Sequence, residues 1–363
     1  MAWYWPFSFS PQLDWLQVEI STHCTAACFY CPRTLYKIQW LNHHMDEELF
    51  RRLLPVFRKT RLVHLQGWGD PFTHPKFFHF ARLAKSAGCQ VGTTTNGMLL
   101  NEQQCEQLVE QHFDIIGFSL AGVGAENDQV RRGTRLSKVL SVIETIDRIK
   151  QRTGTERPTV HIAYMLLKSG LRNIHRLPDL LRDRGISQVV ISTLDTVGSP
   201  SLTIEALLPE TEQEKEGIRQ QLENVVATGR AAGLSIHFRF PELHKQQNVD
   251  QPHFENESLL AIAKPQLCTE NIQRAAFVGV TGNVSPCVFV NLPITELPQG
   301  ANPIERPYRP VLFGNVEALP FAKIWHSKHY SSFRSAHQSG RPPAICQLCT
   351  KISVLSNTDL LEA

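Results

Sequence analysis

Three cysteines fall within the stretch CTAACFYC, at positions 24, 28 and 31, and four more stand at 268, 287, 346 and 349. Thiolates so spaced bind soft metals, which makes these seven of the nine cysteines the first candidates for chemistry. A structural zinc site wants four ligands, and His23, His43 or His44 would supply the fourth to the first group. A ferredoxin-type cluster also wants four cysteines and often closes on Cys-Pro, as Cys31-Pro32 does, yet here the spacing is x3 then x2 and no fourth cysteine follows. Burial as plain core thiols is the third reading. A three-cysteine cluster leaves one iron without a protein ligand, which makes sense where a substrate or cofactor takes the open position. The odd count, the chain length and the lack of an export signal argue against a disulfide framework. Cys89 and Cys105 read as packed thiols.

The composition narrows the partners. With 37 basic against 34 acidic residues, the formal charge of +3 leaves no electrostatic footprint for nucleic acid or an anionic membrane. No run of about 18 apolar residues occurs. The aromatic start, MAWYWPFSFSPQLDW, lacks a basic head, a sustained apolar run and a small-residue cleavage site, and reads as a segment packed across the first strand. The expectation is a cytoplasmic protein with no nucleic-acid or membrane partner.

The elements that must position the cysteines follow a steady alternation. β-like runs occur at 16–21, 61–66, 90–95, 114–120, 159–166 and 188–194, with helical patterns between them, such as DEELFRRLLPVFRKT and NIHRLPDLLRDRG. Strand, helix, strand implies βαβ units and a parallel sheet, closed into a partial barrel or doubly wound. A helix over 211–233 and the strand LSIHFRF follow, and a boundary falls near residue 240. The divisions are an N-terminal segment 1–14, a core 15–240, a linker 241–265, and a cysteine-bearing region 266–363 with little helical signal.

Cys24-x3-Cys28-x2-Cys31 after a first strand resembles the signature of the radical S-adenosylmethionine (SAM) superfamily. The resemblance implies a partial (β/α)6 TIM-type barrel. It also implies a [4Fe–4S] cluster whose open iron chelates SAM, and a 5′-deoxyadenosyl radical released on one-electron cleavage. Tyr30, the aromatic residue before the third cysteine, is then expected beside the adenine. GWGDP (67–71) resembles the family's Gly-Gly-Glu-Pro segment, with Gly69 approaching the ligand closely and Asp70 accepting from the methionine ammonium. Asp70 stands where the family more often has Glu; the alternative role is a turn carboxylate capping the next helix. TTTNG (93–97) offers Thr95 and Asn96 to the SAM carboxylate and ribose, and FSLAG (118–122) offers Ser119 to the ribose, with Ala121 where the family often has an acid. VRRGT (130–134) offers Arg132. All these segments lie at the C-terminal ends of the expected strands, where α/β sheets and barrels bind ligands. His64, His74 and His161 receive no role.

Cys268, Cys287, Cys346 and Cys349, with Gly282-x4-Cys287 and the FGNVEALPFAKIWHSKHYSSFR stretch before CQLC, resemble a shortened SPASM extension. Four cysteines imply one fully protein-ligated auxiliary [4Fe–4S] cluster, an electron relay or a support; a zinc ribbon is the alternative. The whole resembles a maturase-like radical SAM enzyme of oxidoreductase type, with a low-potential electron donor and a peptide or protein substrate. A small molecule such as a tetrapyrrole is the enzyme alternative, and a non-catalytic metal-binding carrier the alternative of another class.

Overall fold

Alternation decides the first strand. Leu16, Val18 and Ile20 turn to one side and are buried, while Trp15, Gln17 and Glu19 turn to the other. The computed structural model describes residues 12–194, 202, 204–238, 266–294, 310–347, 349 and 351–354. Most of the 1–14 segment, the whole 241–265 linker and the stretch after 354 lie outside the described residues.

Ten strands form one sheet. In chain order they are β1 (Leu13–Val18), β2 (Thr60–Leu65), β3 (Gln90–Thr95), β4 (Ile115–Leu120), β5 (Thr159–Leu166), β6 (Ile186–Thr193), β7 (Ser235–Phe238), β8 (Ala275–Val278), β9 (Asn283–Ser285) and β10 (Gly314–Asn315). Their spatial order is β10-β9-β8-β1-β2-β3-β4-β5-β6-β7. From β8 to β7 every pairing is parallel; β9 and β10 add antiparallel. The edges β10 and β7 do not pair with each other, so the barrel is partial. The six expected core strands are all present, the first lying three residues earlier than its apolar run suggested, because the chain leaves the sheet after Val18 to build the cysteine loop.

One face of the sheet is dry. Val63, Leu65, Val91, Ile116, Phe118, Ile162 and Tyr164 pack there under the helices. The helix Leu136–Thr153 contributes Leu136, Val139, Val142, Ile143, Ile146 and Ile149, a stripe at helical spacing. Each such side chain contributes about 1.5–3 kcal/mol on burial. Two expectations need correction. The pattern over 46–60 is two short helices, Glu47–Arg51 and Leu54–Phe57, because Pro55 has no N–H to donate and its ring clashes with the preceding turn. The C-terminal region is more helical than its sequence suggested: Phe321–Trp325 and Lys328–Gln338 are helices. Phe321, Ile324, Trp325, Tyr330 and Phe333 are buried in them.

On the opposite, inner face polar side chains alternate with apolar ones such as Leu62, Ile115 and Met165. Paired inward positions include Gln17 with His64, Thr94 with Gly117, and His161 with Gln188. Inward positions of β1 to β7 hold no Lys, Arg, Asp or Glu. Burial lowers the His64 imidazole to about 4 and lowers that of His161 too, so both are neutral at physiological pH.

Candidate active site

The cysteine loop is held by backbone contacts from three directions. Thr22 donates its hydroxyl to the Leu41 carbonyl at 2.5 Å and accepts from the His43 N–H at 2.8 Å. Ala27–Cys28 forms a short antiparallel ribbon with Arg131–Arg132, in which Cys28 faces Arg131. Phe29 N–H adds a bond to the Val130 carbonyl at 3.1 Å. Cys31 caps the short helix Pro32–Leu35, whose first residue is a proline, a position where the missing N–H costs nothing. These ties bring Cys24, Cys28 and Cys31 to one cavity of about 230 Å³.

Burial pushes the Cys31 thiol up to about 12, with Cys28 and Cys24 adding to the rise; burial and the Asp70 carboxylate raise Cys24. Burial disfavours the thiolates of Cys24 and Cys31, and a bound metal centre offsets that cost by releasing their protons. Among the described residues, no three His, Cys, Asp or Glu side chains gather tightly enough to hold a single metal ion. None of His23, His43 or His44 lines the cavity. His23 instead stacks on His44, with ring centroids 4.4 Å apart. Three thiols spread around one cavity, with an open side, fit a multi-atom iron–sulfur cluster better than a four-ligand zinc site.

The strand ends supply the other walls. Gly69, Asp70, Thr95, Asn96, Ser119 and Tyr30 all line the same cavity as the thiols. A methyl group on Gly69 would overlap the backbone of Ser21, Thr22 and His23, so only glycine lets this loop lie against the cysteine loop. Asp70 is buried and heavily engaged. Its Oδ1 accepts from Phe72 N–H at 3.0 Å, and its Oδ2 accepts from the Thr95 hydroxyl and the Asn96 N–H, each at 2.8 Å. It therefore does cap the short 3-10 helix Pro71–Thr73 while also pinning the end of β3. Burial raises its carboxyl, against the pull of those three donors. The Asn96 amide donates to Cys24 Sγ at 3.5 Å and to Thr25 Oγ1 at 3.1 Å, tying the third strand to the first thiol.

Arg132 is exposed and lies outside the cavity lining; its neighbour Arg131 is buried and lines it. Arg131 Nη1 donates to the Tyr30 hydroxyl at 2.6 Å. Its guanidinium stays charged despite burial and, anchored on Tyr30, places a positive charge beside Cys24 and Cys28. Sequence reasoning also missed Trp68, Phe289, Met165 and Leu194 on the walls, and Glu19 beneath them. Phe289 comes from the turn directly after Cys287 and meets Trp68 edge-on, with ring centroids 6.0 Å apart. A carboxylate in the apolar run LQVEIS was the one available signal for Glu19.

The four later cysteines also converge. Burial raises Cys268 to about 11 and Cys346 to about 12, and raises Cys287 well above its ordinary value; Cys349 or Cys268 acts electrostatically on each. Cys349 N–H donates to the Cys346 carbonyl at 3.0 Å, closing a tight turn between them. Glu270 joins the group, acting on Cys268 and Cys287. Cys89, whose thiol donates to the Ala84 carbonyl at 3.2 Å, and Cys105 are buried elsewhere.

Family models match both parts of the chain: the radical SAM superfamily over residues 18–181, and SPASM, an iron–sulfur cluster-binding domain, over 268–350. A tungsten-containing aldehyde ferredoxin oxidoreductase cofactor-modifying protein from Pyrococcus furiosus is 24% identical over 357 residues, covering 96% of this chain and 90% of the relative. An Fe-coproporphyrin III synthase from Methanosarcina barkeri is 22% identical, covering 85% and 72%. Streptococcus suis SuiB bound to S-adenosylmethionine shares the fold at a TM-score of 0.62 and 15% identity, over 98% of this chain and 75% of that one. SuiB bound to its precursor peptide SuiA aligns at 0.59 and 13% identity, over 98% and 74%. A radical SAM domain and an iron–sulfur cluster-binding domain accordingly give this protein SAM and iron–sulfur clusters as its cofactors. Residues 18–181 are thus a radical SAM superfamily domain, followed over 268–350 by a SPASM iron–sulfur cluster-binding domain.

Proposed function

We propose that Cys24, Cys28 and Cys31 hold the SAM-binding cluster, and that Cys268, Cys287, Cys346 and Cys349 hold the auxiliary one. The enzyme then modifies a peptide or protein, in the manner of a maturase. When bound, the first cluster supplies the electron that cleaves SAM to the hydrogen-abstracting radical. The observation that carries this reading is the single cavity in which three thiols meet the ends of β2, β3 and β4. Asn96 orients Cys24, Asp70 fixes the turn after β3 and lends negative charge toward a bound ammonium, and Gly69 lets the loop close. Ser119 would meet the ribose, and Tyr30, locked by Arg131, would stand against the adenine. Met165, Leu194, Trp68 and Phe289 keep water from the reacting centre.

The inward strand positions carry no Lys or Arg, and among the described residues Arg131, tied to Tyr30, is the one cation on the cavity wall, which favours an amide-bearing substrate. A tetrapyrrole carrying several carboxylates calls for Lys or Arg along the inner face, and its inward positions offer none. The peptide in the SuiB complex supports the peptide class, and the cofactor-modifying relative supports a maturase role without naming a peptide. The M. barkeri synthase keeps the small-molecule reading as the second one. Cys268, Cys287, Cys346 and Cys349 would hold the auxiliary cluster, which would supply an electron acceptor for an oxidative reaction; the first cluster would need a low-potential donor, and the cytoplasm would be the place of work. Anaerobic reconstitution with iron and sulfide, followed by SAM and dithionite, tests the core of this. Wild type is expected to form 5′-deoxyadenosine and Cys28→Ala none; wild type with full clusters that neither binds nor cleaves SAM would refute the assignment.

A further inference from the structure

Glu19 stands just past β1, beneath the loop 67–69, and is 1% exposed. The Trp68 backbone N–H donates to its Oε1 at 2.7 Å, and the backbone N–H groups of Gly69 and Val280 also favour the charged carboxylate. Two of these groups belong to the wall of the cavity, and the third lies beyond β8, in the C-terminal region. A side chain on Gly67 would occupy the place of the Glu19 methylenes, so this glycine leaves the room the carboxylate needs. Trp68 carries a second tie to the same region, its indole N–H donating to the Asn291 carbonyl at 3.1 Å.

This arrangement is costly. No cationic side chain contributes at Glu19, and burial lifts its carboxyl to about 7 against the pull of the nearby backbone N–H groups. A neutral side chain of similar shape would fold more readily here, since a buried charge without a cation is a net loss of stability. What the charge accomplishes is geometric: it holds the Trp68 N–H while the Glu19 backbone N–H donates to the Val278 carbonyl at 2.9 Å, so one residue ties the loop to the C-terminal region.

We propose that Glu19 is a positioning residue whose carboxylate holds the Trp68–Gly69 backbone in its SAM-binding conformation and fastens that loop to the C-terminal region, so that SAM affinity depends on this joint. The proposal rests on the reading of the cavity as the SAM site. Asp70, the other acid of the loop, turns to Thr95 and Asn96, and His64 on β2 pairs with Thr94 at 3.1 Å. Both are unchanged in a Glu19 variant, so a ratio of affinities between variant and wild type isolates Glu19.

The test uses the full chain, reconstituted anaerobically, with SAM binding measured by equilibrium dialysis at pH 6 and pH 8, beside iron content and melting temperature. At pH 8, Glu19→Gln is expected to keep its iron and to melt at the same or a higher temperature. Its affinity for SAM should be about tenfold weaker, the loss of one charge-assisted hydrogen-bond set. At pH 6, where the wild-type carboxyl is protonated, the two affinities should converge to within about twofold. Glu19→Asp, which keeps the charge but withdraws it by one methylene, should also bind SAM weakly and serves if the Gln variant fails to fold. Equal SAM affinity at pH 8 overturns the proposal. So does a parallel loss of iron, melting temperature and affinity, which would mark Glu19 as structural only. Wild type that carries both clusters and binds no SAM would instead overturn the reading of the cavity.

Discussion

Arg131 and Arg132 are adjacent in sequence and opposite in environment. The ribbon with Ala27–Cys28 sets the alternation, and the pairing of Cys28 with Arg131 turns that guanidinium inward to Tyr30 and the thiols. Arg131→Met is expected to lower cluster occupancy and SAM affinity, the lost hydrogen bond to Tyr30 alone costing about 1.5–3 kcal/mol. Arg132→Met should leave both within about twofold, as surface changes usually do; iron analysis and SAM binding on the two variants read this out. The sequence supplied both arginines, but which one faces in depends on a register set by a residue far earlier in the chain. Cys24, Cys28 and Cys31 needed no such information, because their spacing is local. Asp70 shows the middle case. Its place in the loop was legible, whereas its bonds to Thr95 and Asn96, which make it a brace for β3, were visible only once the two strand ends met.

At the scale of elements, the glycines separate local from tertiary demands. Gly69 meets the backbone of Ser21, Thr22 and His23, atoms that cannot move aside, so Gly69→Ala is expected to yield protein with little assembled cluster and a much lowered melting temperature. Gly217 sits within the helix Glu212–Ala231 with open space where a side chain would go. Gly217→Ala should raise stability by roughly 0.5–1 kcal/mol, read from denaturant unfolding, by removing backbone freedom from the unfolded chain. The core strands were legible because alternating and continuous apolar runs are local signals. The break in the 46–60 helix follows from Pro55, equally local, and the periodicity of its neighbours hid it. The helices at 321–338 escaped because turn-rich surroundings and cysteine spacing dominated the reading of that region.

For the molecule as a whole, the division into core and extension is less sharp than the composition change near residue 240 implied. β8 pairs in parallel with β1, so the C-terminal region continues the catalytic sheet, and Phe289 carries it to the cavity wall. The double variant Cys346→Ala, Cys349→Ala is therefore expected to bind about half the iron of wild type, as loss of one of two cubane clusters requires. It should still bind SAM, but with weakened affinity if β8 loosens; iron analysis with SAM dialysis measures both. No local pattern encodes the β1–β8 pairing, since its partners lie at opposite ends of the chain. That pairing also bears on how the protein is made. On the ribosome, β1 emerges first and finds β2 soon after, but its other flank has no neighbour until residues 275–278 appear. Through most of synthesis the nascent sheet thus carries a bare strand edge right beside the cysteine loop, the kind of edge that invites pairing with other chains.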